Sequence, residues 1–400
     1  MTVTAPEPAA GPASRQAPPP FEPADPLGWF DQVRERTPVL WHPETGSWYI
    51  TRFDDVWALL TDDRLAARSA EPFLRELTDE QRTAAEPLVA FLARWPIFLD
   101  PPDHGVVRRV LRAAFSPGTT AGLAAAVGAA LSTAGLPAAD ADDLLDSLLR
   151  PACAAALGTL LGVDPADLAL LADCSERLIG FVGRRDLDLE VIRDAHEALD
   201  RLGEYVERAC ARGASPLAAA VGAAVRVGTL SPTDAVAIYA QLVTGALEPT
   251  VATLSVALEA VTAGPRSRQG YRSDPAGFTA EAVRLATPFH FAARRAVREL
   301  VLDEQRIPAE ARVVLVLAAA DRDPRRFPEP LEFRWDREQP SVAFGRGRHA
   351  CLGQVVVHQV VRAVLDTLLA DGGELPPVRV EWNVGLGMRE PSRVTAKAAA

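Results

Sequence analysis

The segment Phe344-Gly-Arg-Gly-Arg-His-Ala-Cys-Leu-Gly353 sets a single cysteine, Cys351, between a glycine-rich turn and an apolar helical stretch. Helix N-terminal amides and neighbouring guanidinium groups stabilise an anion, so a cysteine placed there is readily held as thiolate. Such a thiolate can ligate a soft metal centre or attack an electrophile; a lone buried cysteine at a turn is otherwise structural. Three further groupings could do chemistry. Glu281 and Arg284 stand three apart and share one helix face. His104 and Arg108, four apart within Asp100-Pro-Pro-Asp-His-Gly-Val-Val-Arg-Arg109, can both point to one ligand. In Thr244-Gly-Ala-Leu-Glu-Pro-Thr250 the Glu248 carboxylate precedes Pro249. That proline lacks an amide donor and crowds the carbonyl of Gly245 four residues back, so a kink is expected there.

These groups need elements to position them. Ser231 can cap a helix that starts at Pro232 with Asp234 in its first turn, and the apolar pattern runs to Ala263 before Gly264-Pro265 stops it. That is about 32 residues, or roughly 48 Å, enough to run through the middle of a domain. Residues 104–263 read as an Ala- and Leu-rich helical bundle, and Ser47–Thr51 alternates like a strand with Pro38–Trp41 as its partner. The stretch Arg64–Asp100, broken by Pro72, Pro87 and Pro96, reads as a long, partly helical loop. Arg312–Leu317 and segments after Pro377 read as strands, Asp321–Pro340 as turn-rich, and Leu352–Ala370 as a final helix. The expected class is mainly α with small β-sheets: a disordered Pro/Ala-rich tail over residues 1–26, then one helix-rich domain over 27–400.

Composition excludes several functions. Lys and Arg total 42 against 53 Asp and Glu, a net charge of −11, which disfavours nucleic acid as a partner. The longest uninterrupted apolar run, Val313–Ala320, is far short of the roughly 20 residues that cross a bilayer, so no membrane partner is expected. Four cysteines without any CxxC pair make neither a disulfide framework nor a zinc site, and a reduced, cytoplasmic location is expected.

The cysteine segment resembles the haem-binding loop of the cytochrome P450 family, whose fixed positions match at Phe344, Gly347, His349, Cys351 and Gly353. The resemblance implies the P450 fold, with haem b between the long central helix and the helix after the loop. It makes Cys351 the proximal iron ligand, with Phe344 and Gly345 beside it and His349 donating to a propionate. His104, Arg108 and Arg294 become further propionate partners, although the doubled Arg294-Arg295 leaves the register open. A proximal thiolate pushes electron density onto iron and favours O–O cleavage. Glu281 and Arg284 match the family's structural pair; its third partner is not evident where Glu332 precedes Phe333. Glu248 matches the family's acid, but Pro249 stands where a threonine usually delivers protons. Proton delivery then falls to Glu248, a water at the freed Gly245 carbonyl, Thr250, or the substrate.

By position, Phe91, Gln241, Thr244, Phe289, His290, Phe291 and Met388 are expected at the substrate pocket, His290 being weighed more heavily as a packed core histidine. The implied activity is a haem-thiolate monooxygenase or oxidase that uses O2 on a small organic substrate in natural-product biosynthesis. Oxidative coupling or cyclisation of an aromatic or peptide-derived substrate is the first expectation. Electrons would come from NAD(P)H through a ferredoxin reductase and ferredoxin, docking on Arg109, Arg112, Arg346 and Arg348. Two other readings stand beside it: a peroxide-dependent P450, and a non-catalytic haem-binding sensor or recruitment protein.

Overall fold

A computed structural model describes residues 24–68, 77–115, 120, 122–135, 143–183, 188–370 and 375–396. Residues 1–23 of the expected tail lie outside these, and Pro26 already begins a helix. That helix, α1 (Pro26–Arg36), is followed by strands β1 (Val39–His42) and β2 (Ser47–Ile50), α2 (Phe53–Leu59) and β3 (Leu65–Ala67). Next come α3 (Asp79–Leu92) and α4 (Asp103–Ala114). The supposed loop therefore holds a fourteen-residue helix, which Thr78 and Gln81 start with a reciprocal capping box. Pro87 lies inside α3 on its exposed side, which is why counting prolines as breaks concealed the helix.

The bundle continues through α5 (Leu123–Ala134), a π-helical turn Leu145–Leu149, α6 (Arg150–Leu161), α7 (Pro165–Gly183), α8 (Leu189–Arg212) and α9 (Pro216–Arg226). The central helix α10 runs unbroken over Pro232–Thr262, with Ser231 and Asp234 capping each other at its start. By length and composition α10 could cross a membrane, a test that the uninterrupted-run criterion missed; half of its most apolar stretch is buried in the domain. Two large apolar clusters meet on it, one built around Phe91, Tyr205 and Ile238, the other around Leu254, Phe278 and Val361.

After α11 (Pro265–Ser273) and α12 (Pro275–Ala286) the chain returns to the sheet as β4 (Ala292–Ala296), the hairpin β5 (Leu300–Leu302) and β6 (Gln305–Ile307), and β7 (Arg312–Leu315). The sheet order is β1-β2-β7-β4-β3, with β2 and β7 parallel and the other pairs antiparallel. A short α13 (Leu317–Ala320) leads into an irregular meander, then α14 (Gln354–Leu368) and the hairpin β8 (Val378–Val384) with β9 (Arg389–Ala396). The architecture is mainly helical with small sheets, the class expected from the sequence.

Candidate active site

The cysteine loop is shaped by two glycines with left-handed backbone, Gly345 at φ +64° and Gly347 at φ +72°. Gly347 is constrained twice, because a Cβ there would lie 2.9 Å from Thr61 Cγ2 as well. The amides of Gly345, Ala350 and Cys351 donate to Val342, Gly347 and Phe344 carbonyls at 2.8, 3.1 and 2.8 Å. Cys351 has accessible surface, yet protein crowds it: desolvation raises its thiol pKa, outweighing the Gly353 and Gln354 amides and Arg108. The amides and Arg108 favour the thiolate against that burial, and a metal cation would add to them. Phe344 packs beside the loop against the α14 side, its ring 6.0 Å from that of His358.

Around the loop stand His104, Arg108, Arg294, Arg348 and His349. His104 is buried and its ring centroid lies 4.3 Å from that of His349. Strand alternation resolves the doubled arginine: Arg294 points inward and is buried, whereas Arg295 turns outward to Glu310 at 2.7 Å. Burial first, then repulsion from Arg294, His104, Arg348 and Arg108, pushes His349 down to about 3. Burial likewise pushes Arg294 down to about 10, with Arg348 adding to it. His349 Nε2 is buried with no partner. Mutually repelling buried donors are what two propionates would relieve, so these residues fit the haem that the resemblance implies. Arg108 also serves the loop directly, donating to the Ala350 carbonyl at 2.7 Å. Arg346, expected in an exposed patch with Arg109 and Arg112, instead stacks on Trp57 at 4.0 Å. Among the described residues no group of three or more His, Cys, Asp and Glu could hold a metal ion.

Glu281 and Arg284 form a buried bidentate pair, both contacts 2.7 Å. The third partner is Arg337, whose Nε donates to Glu281 Oε1 at 3.0 Å while its other nitrogens hold meander carbonyls of Pro328 and Glu329. It escaped the sequence reading because the meander has no periodicity. Asp321, fully buried, accepts from Val342 and Ser341 at 2.8 Å and so ties the start of the cysteine loop to α13.

On α10, Gly245 is exposed and has open space where a Cβ would stand. The helix continues through Pro249, and the Thr250 hydroxyl donates to the Ala246 carbonyl at 2.6 Å. That commits its only proton inside the helix and removes Thr250 from the candidate donors. Glu248 Oε1 accepts from Arg150 Nε at 3.3 Å, and Oε2 is buried without a partner. Arg150 also pairs with Asp146 at 2.5 Å and lines a polar cleft of about 500 Å³ with Asp143, Asn383 and Glu390.

The expected pocket residues separate. Phe91 is 4% exposed in the helical core, and His290 is 0% exposed, its ring against Phe30 at 6.0 Å, so neither is free to meet a substrate. Gln241 holds the Ile97 amide at 2.8 Å, and the Thr244 hydroxyl donates to the Gln241 carbonyl. Phe289 is exposed and bridges to Met388, whereas Phe291 is partly buried beside the Trp29 cluster.

A family model described as cytochrome P450 matches residues 278–371. Biflaviolin synthase of Streptomyces coelicolor is 28% identical over 351 residues, covering 85% of this chain and 82% of that protein. Nocardicin C N-oxygenase of Nocardia uniformis is 26% identical, covering 86% of this chain and 87% of that protein. The crystal structure of CalO2 superposes with a TM-score of 0.80 at 26% identity, covering 94% of this chain and 96% of that one. With the loop, the fold and these relatives in agreement, this chain belongs to the cytochrome P450 family and is an oxidoreductase of the monooxygenase kind.

Proposed function

We propose that this P450 oxidises a natural product, coupling or cyclising an aromatic or peptide-derived substrate, with electrons delivered by a ferredoxin and its NAD(P)H-dependent reductase. The observation that carries the haem-thiolate core of this reading is the cysteine loop beside buried, mutually repelling cationic groups. The substrate class draws support from relatives named for biflaviolin and for nocardicin C.

When bound, haem supplies the iron at which O2 is activated. Cys351 would hold that iron, and the Gly353 and Gln354 amides would temper the sulfur's charge. His104, Arg108, Arg294 and His349 would hold and neutralise its propionates. Glu248 is the proton carrier, and Arg150, which donates to its Oε1, sets the carboxylate beside the polar cleft that it also lines. The Gly245 carbonyl, released by Pro249, is an acceptor that can order a water between Glu248 and the substrate space. Arg109 and Arg112, both exposed on α4, with Arg348 form the face for an acidic donor.

The test is the absorption spectrum of the dithionite-reduced protein with carbon monoxide, beside Cys351→Ala. A strongly red-shifted Soret band that the substitution abolishes is expected. A histidine-like band in the wild type, or a red-shifted band that survives in Cys351→Ala, overturns the ligand assignment.

A further inference from the structure

At the apex of the cysteine loop, Arg346 to His349, no residue of the 3-10 turn Gly347–His349 is fully buried, and left-handed glycines stand just before the apex, at Gly345, and within it, at Gly347. Such a turn loses much conformational freedom when fixed, and so needs contacts from outside itself. From one side Arg108 holds the Ala350 carbonyl, and from another Asp321 holds Val342. The apex is held from a third side by α2. Arg346 lies 4.0 Å above the Trp57 ring, and its Nη1 donates to the Trp57 carbonyl at 3.2 Å. Gly347 is seated against Thr61 and the Leu60 carbonyl just beyond.

The contact does not end at Trp57. Its ring stacks on Phe53 at 5.7 Å, Phe53 meets Phe327 edge-on at 5.5 Å, and Arg284 sits 4.9 Å over Phe327 while pairing with Glu281. A continuous cation–aromatic stack thus runs Arg346, Trp57, Phe53, Phe327, Arg284 from the loop apex to the buried ion-pair lock. Each step is weak alone, but the series joins two parts of the site that are distant in sequence.

We propose that Trp57 is a positioning residue for the thiolate ligand: through Arg346 it clamps the loop apex and couples the loop to the Glu281–Arg284–Arg337 lock. The consequence for iron ligation rests on Cys351 being the ligand; the clamp itself does not.

The experiment takes the holoprotein and compares wild type with Trp57→Leu, Trp57→Phe, Arg346→Met and the Trp57→Leu/Arg346→Met double variant. Hydrogen exchange of the Gly345, Ala350 and Cys351 amides is read against amides in the second half of α10. The red-shifted carbon monoxide band is followed as urea is raised, against far-UV unfolding. In Trp57→Leu and in Arg346→Met the loop amides should exchange about tenfold faster with α10 unchanged, and the band should be lost well before global unfolding. Trp57→Phe, which keeps a ring, should stay within about twofold of wild type, and the double variant should be no worse than either single one. Loop exchange unchanged in Trp57→Leu, or effects that add in the double variant, overturns the clamp. If Trp57→Leu does not fold, the half-exposed Arg346→Met carries the same comparison. A wild type without the red-shifted band would sink the ligand assignment while the loop amides still report on the clamp.

Discussion

Glu248 is the residue on which the unusual central helix turns. Its neighbour Pro249 has no side-chain donor, and the Thr250 hydroxyl is spent on the Ala246 carbonyl, so the acid is left as the titratable group of this turn with an uncommitted oxygen. Glu248→Gln keeps the size and the contact with Arg150 but cannot carry a proton. Product formed per dioxygen consumed should fall on the order of 10²-fold, the lower end for a general acid, whereas Thr250→Val should stay within about threefold because its proton never left the helix. Equal losses in both variants, measured by oxygen uptake against product, would remove Glu248 from the role. Legibility at this scale followed locality. Cys351 and Glu248 stand out in the sequence because the chemistry proposed for them depends on neighbours in sequence. The burial that raises the thiol's pKa was not legible there, because it depends on how the rest of the chain packs around the loop.

Among elements, those with caps and periodicity were legible and those held by long-range polar contacts were not. Ser231, Pro232 and Asp234 marked the start of α10 within a residue. Arg294 became assignable only once β4 paired with β7 and fixed which arginine faces inward. The meander carries no pattern at all; it is shaped by Arg337, which reaches the Glu281 carboxylate and two carbonyls at once. Neighbouring Arg334 offers Glu281 only its backbone amide, with its side chain largely exposed. Arg337→Met should therefore lower the unfolding free energy by about 2–3 kcal/mol, since a buried carboxylate loses a charged partner. Arg334→Met should change it by less than about 0.5 kcal/mol. Urea titration of the holoproteins checks both, and similar values for the two would mean the lock does not depend on Arg337.

For the whole molecule, stability against pH includes the opposed contributions of two buried groups. His290, whose Nε2 is buried without a partner, is pushed from 6.5 down to about 4 by burial, with Arg389 and Arg322 adding to it and the Leu386 carbonyl opposing it. The unfolded chain takes up that proton first, so His290 stability is present above pH 6.5 and is lost as pH falls toward 4, roughly 3 kcal/mol in all. Burial pushes Asp321 the other way, from 3.8 up to about 7, against the Val342 amide, Ser341, Arg284 and Thr287. There the folded state takes up the proton first, so its contribution is present below pH 3.8 and is lost as pH rises through 7. Between about pH 4 and 6.5 the two slopes oppose each other. Asp321→Asn, which keeps the acceptor for Val342, should therefore lose stability more steeply than wild type on going from pH 7.5 to 4.5. His290→Gln should lose it less steeply. His42, His104, His349 and His358, also lowered by burial, add to the acid-side slope in all three proteins, so the difference between profiles is the quantity to read. Urea midpoints at pH 7.5, 6.0 and 4.5 measure it, and parallel profiles would show that neither group sets the acid limit of this fold.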